Sequence, residues 1–196
     1  MFPMVSSCGW GEAGAMDSML ASVSTSVTRG SVVSRRVAVG SGLLAVACVL
    51  GLIEAAMPGL PLAPWLKLGL ANIAVVVALA VADGATAAVV SLGRVVIVGL
   101  ATGTLGTPVG LIAAAGAIAS LGMMWALSSR GDAFSLVGWS AAGSAAHVLA
   151  QLVIAGPLVG SWSLMALAPA SVLIALPLGA LTGYLARTIV SRLTER

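Results

Sequence analysis

Charge is what this chain has least of. Of 196 residues nine are Lys or Arg and six are Asp or Glu, 8% in all, and Lys67 is the single lysine. Soluble domains carry about a quarter charged residues, so an ordinary water-soluble fold is excluded. Cysteine is nearly as scarce: Cys8 and Cys48 lie far apart with no CxxC spacing, which leaves neither a disulfide framework nor a thiolate metal site. Lys67 lies in Pro64-Trp65-Leu66-Lys67-Leu68-Gly69 and not in a GxxxxGK[ST] loop, so nucleotide binding of the P-loop kind is excluded. The aspartates Asp17, Asp83 and Asp132 are scattered, with no pair to hold magnesium and a diphosphate. No Ser-His-Asp or HExxH constellation occurs, and His147 is the only histidine. No catalytic residue, metal ligand or cofactor is therefore expected. A net charge of +3 gives no footprint for nucleic acid.

What the chain has is hydrocarbon. Sixty per cent of its residues are hydrophobic and 24 are glycine, the small residue that lets membrane helices approach closely. Six apolar spans follow one another at about 37–57, 66–82, 85–101, 108–127, 134–156 and 164–186. Most approach the roughly 20 residues needed to cross a bilayer. The second span is the shortest, and only Asp83-Gly84 separates it from the third. Residues 1–34 are rich in Ser, Gly and Met without apolar periodicity, and are expected to form a disordered tail or an upstream extension. Arg35-Arg36 and the stretch Ala45-Val46-Ala47-Cys48 imitate a lipoprotein signal. The apolar run continues through Val49-Leu50-Gly51-Leu52-Ile53, where a mature lipoprotein turns polar, which argues against cleavage.

The basic residues set an orientation. Arg29, Arg35 and Arg36 precede the first span, Arg130 falls between the fourth and fifth, and Arg187, Arg192 and Arg196 follow the sixth. With an even number of spans these lie on one side, and Lys67 alone lies on the other. The expectation is an all-α polytopic protein of the cell membrane, a six-helix domain over residues 35–190, with both termini and the tail 191–196 cytoplasmic.

Polar residues inside such spans are costly, about 2.5–3.5 kcal/mol for a charge at the bilayer centre, and so mark function. Given the orientation, Glu54, Lys67, Asn72, Arg94, Thr104, His147 and Gln151 fall from mid-bilayer outward. Ser140, Ser144, His147 and Gln151 share one helix face by their four-three-four spacing. Thr107 and Pro108 have the chemistry of an N-cap and first helical residue for the fourth span, aiming its positive end at the same region. These residues predict an outward-facing pocket for a small molecule, anionic or amphipathic. Each also has a structural alternative: an ion pair for Glu54 and Arg94, interfacial anchoring for Lys67 beside Trp65, and interhelical hydrogen bonding for Asn72, His147 and Gln151. The small residues Ala47, Gly51 and Ala55 offer a close-approach stripe, to a partner helix or to the bundle itself.

Several of these pieces together resemble a known family. They are Glu54 and Pro58 with Lys67-Leu68-Gly69-Leu70-Ala71-Asn72, Arg94 with Gly103-Thr104, and Gly116 with Ser120 and Met124. To these add Gly138-x-Ser140-x-x-Gly143-x-x-x-His147-x-x-x-Gln151, and Gly179 with Gly183. The set is similar to the Gx transporter family, also described as heptaprenyl diphosphate synthase component I, over about residues 36–190. The resemblance implies a six-helix subunit like the substrate-binding components of energy-coupling factor transporters. Those capture a micronutrient and join a transmembrane coupling protein and ATPases through small residues of helix one, here Ala47, Gly51 and Ala55. The other description implies a non-catalytic partner of a polyprenyl diphosphate synthase.

Overall fold

The computed structural model describes the backbone of residues 11–57 and 69–195, and the side chains of these except at 11–33, 132 and 194. Lys67, Pro58 and Trp65 lie outside the described residues. The chain divides into a unit of residues 1–38 and a unit of residues 39–196, and the packing below belongs to the second. Among the described residues all regular structure is helical: α1 (Gly11–Ala56), α2 (Ala71–Val81), α3 (Gly84–Ala101), α4 (Pro108–Ser128), α5 (Leu136–Val159) and α6 (Ala168–Thr194). Short 3₁₀ segments occupy Gly131–Ala133 and Trp162–Leu167. The backbone is helical from Gly11, where an irregular tail through residue 34 was expected. Helix α6 likewise continues through Thr194, into the expected C-terminal tail.

Side chains at the helix starts fix most boundaries. Asp83 is extended and its Oδ1 accepts the Thr86 N–H at 2.7 Å, which caps α3. Thr107 caps α4 as its chemistry predicts: its Oγ1 accepts the Gly110 N–H at 3.4 Å and donates to the Thr104 carbonyl at 2.7 Å. Pro108 then fills a first-turn position whose missing N–H costs nothing. Helix α2 starts five residues later than the apolar span suggested. Gly69 takes φ +69°, a left-handed conformation that favours glycine, and its carbonyl accepts the Asn72 N–H at 2.9 Å. The chain therefore turns at Gly69, and α2 keeps only 11 residues.

That short helix is the centre of the bundle. Ala71, Asn72 and Ala74 through Ala78 are buried, so α2 is covered on every side, as a helix apolar all round must be. Val75, Val76 and Val77 join Ala47, Ala87, Val90, Leu121, Met124 and Ala186 in the main core. Glycines let the surrounding helices close on it. A Cβ on Gly183 would lie 2.7 Å from the Val137 Cα and 2.8 Å from the Ser140 Cβ, so α5 and α6 touch nearly backbone to backbone there. A Cβ on Gly51 would lie 3.0 Å from Val98, which seats α1 against α3.

Outward, the helices show Val49, Ile53, Leu100, Val109, Ile118, Trp125, Val159, Leu173 and Leu181 to their surroundings. Among the described residues five helical stretches are long and apolar enough to cross a membrane, and α2 is a shorter apolar helix. At 1.5 Å per residue α2 spans about 16 Å, roughly half the hydrocarbon thickness. It runs antiparallel to α3 from the Asp83 turn, so equal rises bring its first residue opposite Arg94–Val95.

Candidate functional site

A cavity of about 680 Å³ occupies the space beyond the end of α2. Its wall from α1, α2 and α3 carries Gly51, Glu54, Asn72, Arg94, Val98 and Thr102; Ser144, His147 and Gln151 come from α5, and Gly110 from the start of α4. Of the seven residues predicted from sequence, the structure brings six to one cavity: Glu54, Asn72, Arg94, Thr104, His147 and Gln151. The seventh, Lys67, lies outside the described residues.

Glu54 is buried, 8% exposed, and its Oε1 accepts the Leu70 N–H at 2.6 Å. That N–H belongs to the residue before the first turn of α2, where backbone donors have no partner within the helix and negative charge is favoured. Glu54 therefore closes the end of α2 while lining the cavity. No ion pair joins it to Arg94 among the described residues. The structural alternative of a Glu54–Arg94 pair is replaced by a carboxylate-to-backbone bond.

Arg94 lines the cavity with its stem against Gly51, whose Cβ, if present, would lie 3.6 Å from Arg94 Cγ. The Arg94 Nε is buried and has no hydrogen-bond partner among the described residues. A buried donor left unmet costs about 1–3 kcal/mol, more when the group is charged. His147 lies over bare backbone. A Cβ on Gly116 would sit 2.7 Å from the His147 Cε1, 2.8 Å from its Nε2 and 3.0 Å from the Gln151 Cγ. The His147 Nδ1 is a second buried atom without a partner. Both nitrogens belong to residues that line the one cavity.

Ser140 lies on the face it shares with Ser144, both against glycines of α6, but it does not line the cavity. It is 1% exposed and shares a 2.9 Å hydrogen bond with Thr182, outside the cavity, because the close crossing of α5 and α6 at Gly183 covers that turn. Ser144, His147 and Gln151 remain at the cavity. The stripe Ala47, Gly51 and Ala55 also divides. Ala47 and Gly51 are buried within this chain, in the core and against α3, and so are not available to a partner helix; Ala55 is exposed and borders the cavity.

The remaining wall was not anticipated. Leu164 and Leu167 from the second 3₁₀ segment and Ala175 and Leu178 from α6 line it, beside Val148 and Leu152 of α5. Val148, Leu152 and Ala175 form a second core cluster backed by Met165, Ala168 and Ile174, so this wall is packed from behind. At the rim, Thr102 Oγ1 and Thr104 Oγ1 lie 2.9 Å apart in a hydrogen bond.

No group of three or more His, Cys, Asp or Glu side chains able to hold a metal ion occurs among the described residues. The cavity offers hydrogen bonds, one guanidinium and hydrocarbon, which is the equipment of a binding site. No curated protein and no solved structure matches the chain. A family match covers residues 43–189, close to the stretch 36–190 that carries the resemblance in the sequence. Over that length the chain belongs to the family described as heptaprenyl diphosphate synthase component I.

Proposed function

We propose that this chain is a membrane-embedded subunit without chemistry of its own, which holds an amphipathic, negatively charged molecule in its cavity and serves a polyprenyl diphosphate synthase. One observation carries the binding reading: the buried Arg94 Nε and His147 Nδ1 have no hydrogen-bond partner among the described residues and belong to residues lining one cavity. A guanidinium fits carboxylate and phosphate oxygens through paired N–H donors. Asn72, Gln151 and Ser144 would orient the bound head by hydrogen bonding. The family supports the synthase context, since its description names a component of a diphosphate-forming enzyme. The bond-making step would then belong to a separate subunit with its own carboxylates and magnesium.

In this reading the protein crosses the cell membrane six times, with α2 and the residues before it making one crossing, and both termini are cytoplasmic. Arg35, Arg36, Arg130, Arg187 and Arg192 support that orientation. The cavity then lies in the outer half of the bilayer.

That placement favours a second reading, capture of a small molecule from outside for uptake, as the likeness to energy-coupling factor components and the Gx transporter description imply. A coupling protein and ATPases would supply the energy, and transport would require the ligand to favour one partner-bound state over another. Membranes from a strain lacking the gene separate the two readings. Under the synthase reading, their formation of long-chain prenyl diphosphate from an allylic primer and isopentenyl diphosphate falls at least tenfold. Wild-type protein restores it and Arg94→Gln does not. Unchanged formation would remove the synthase reading, and co-purification of the tagged chain with a coupling protein would then test the uptake reading.

A further inference from the structure

The cavity's charged side chains stand on one wall, while its apolar lining is shared: Val95 and Val98 of α3 and Val109 and Ile112 of α4 line it as well as the leucines. Both ionisable side chains of its α1, α2 and α3 wall, Glu54 and Arg94, stand on one side with Asn72 and Thr102. The wall from the second 3₁₀ segment and α6 contributes only Leu164, Leu167, Ala175 and Leu178. The second core cluster fixes that wall, so its apolar surface is in place before any ligand arrives. Helix α5 lies between the two, with His147 and Gln151 beside Val148 and Leu152.

We infer that this cavity reads its ligand in two parts: an anionic head, phosphate or carboxylate, at Arg94, and a hydrocarbon chain laid along Leu164, Leu167 and Leu178. The leucine wall is the specificity-determining surface. It recognises the length or bulk of the hydrocarbon and contributes nothing to holding the head. This rests on the reading of the cavity as a binding site for a charged amphiphile, and adds which residues select the tail. Hydrocarbon burial explains why such selection is strong. Each methylene removed from water adds about a fourfold gain in affinity.

The test measures binding to the full chain in lipid nanodiscs, with empty nanodiscs as the partition control. The probes are inorganic phosphate, butyl phosphate and octyl phosphate, with butyrate and octanoate beside them. The expected result is an affinity gain of at least tenfold from the four-carbon to the eight-carbon member of one or both series. Leu178→Trp, which fills the leucine wall, is expected to cut that gain below threefold, weakening the eight-carbon probes far more than the four-carbon ones. Leu164→Trp repeats the test from the 3₁₀ segment, should Leu178→Trp fail to fold. Arg94→Gln is expected to weaken every bound probe by a similar factor. Chain-independent binding, or a Trp variant that weakens short and long probes equally, overturns the inference and leaves the anionic site standing. Binding that keeps its chain dependence but ignores Arg94→Gln overturns the anionic site instead. No binding by any probe overturns both.

Discussion

Glu54 and Arg94 share a cavity but do different work. Glu54 Oε1 is engaged by the Leu70 N–H at 2.6 Å, whereas the Arg94 Nε is left open. Glu54→Ala would strand that N–H in a buried setting at a cost of about 1–3 kcal/mol, while Glu54→Gln keeps an acceptor and loses less. Denaturant titration of the purified protein should rank wild type above Gln and Gln above Ala; equal stability of all three would contradict the assignment. Gly116 is the companion case. A side chain there must displace His147 and Gln151, so Gly116→Val is expected to cost about 1–3 kcal/mol by overpacking and to abolish ligand retention. Gly122 has no heavy atom within 4 Å of where a Cβ would sit, so Gly122→Ala serves as the neutral control. The polar lining was legible in the sequence because Asn72, Arg94, His147 and Gln151 stand out against apolar helices. Leu164, Leu167 and Leu178 were not, since hydrocarbon facing a cavity reads the same as hydrocarbon facing lipid. Ser140 shares the expected helix face but not the cavity, since residue spacing fixes a face and not how far a neighbouring helix covers it.

At the scale of elements, the cavity begins where α2 does, with Gly69 and Asn72 in its lining. The Thr107-Pro108 start was readable from side-chain chemistry and Asp83-Gly84 as the break between two spans, and α3 and α4 begin within a residue of their predicted spans. The start of α2 was not readable. Gly69 is one of five described glycines with positive φ, and nothing in the sequence singles it out among 24 as a helix start. Helix α6 outran its span because Arg187, Ser191 and Arg192 are tolerated in a helix after the apolar stretch ends. Removing the α4 cap by Thr107→Ala is expected to cost about 1 kcal/mol and to loosen the Thr104 rim, seen as faster amide exchange at Leu105 and Gly106. Gly183→Leu, by contrast, should separate α5 from α6 and unfold the bundle below normal temperatures, because the obstructing atom is the Val137 backbone.

For the whole molecule, core and cavity lie at opposite ends: the packed cluster around Val76 and Met124 closes the Asp83 end, and the cavity takes the Thr104 end. The proposed orientation makes Ser163→Cys reactive to an impermeant thiol reagent in intact cells and Ser129→Cys reactive only after lysis, each measured in a Cys8→Ser, Cys48→Ala background. The reverse pattern would put the cavity on the cytoplasmic side, where a newly made diphosphate is at hand. The account stands chiefly on the claim that this cavity holds a small amphipathic anion. Native mass spectrometry of the gently purified protein tests it most directly. The predicted result is an added mass retained by wild type and lost in both Arg94→Ala and His147→Ala; an added mass retained unchanged by both folded variants would contradict it.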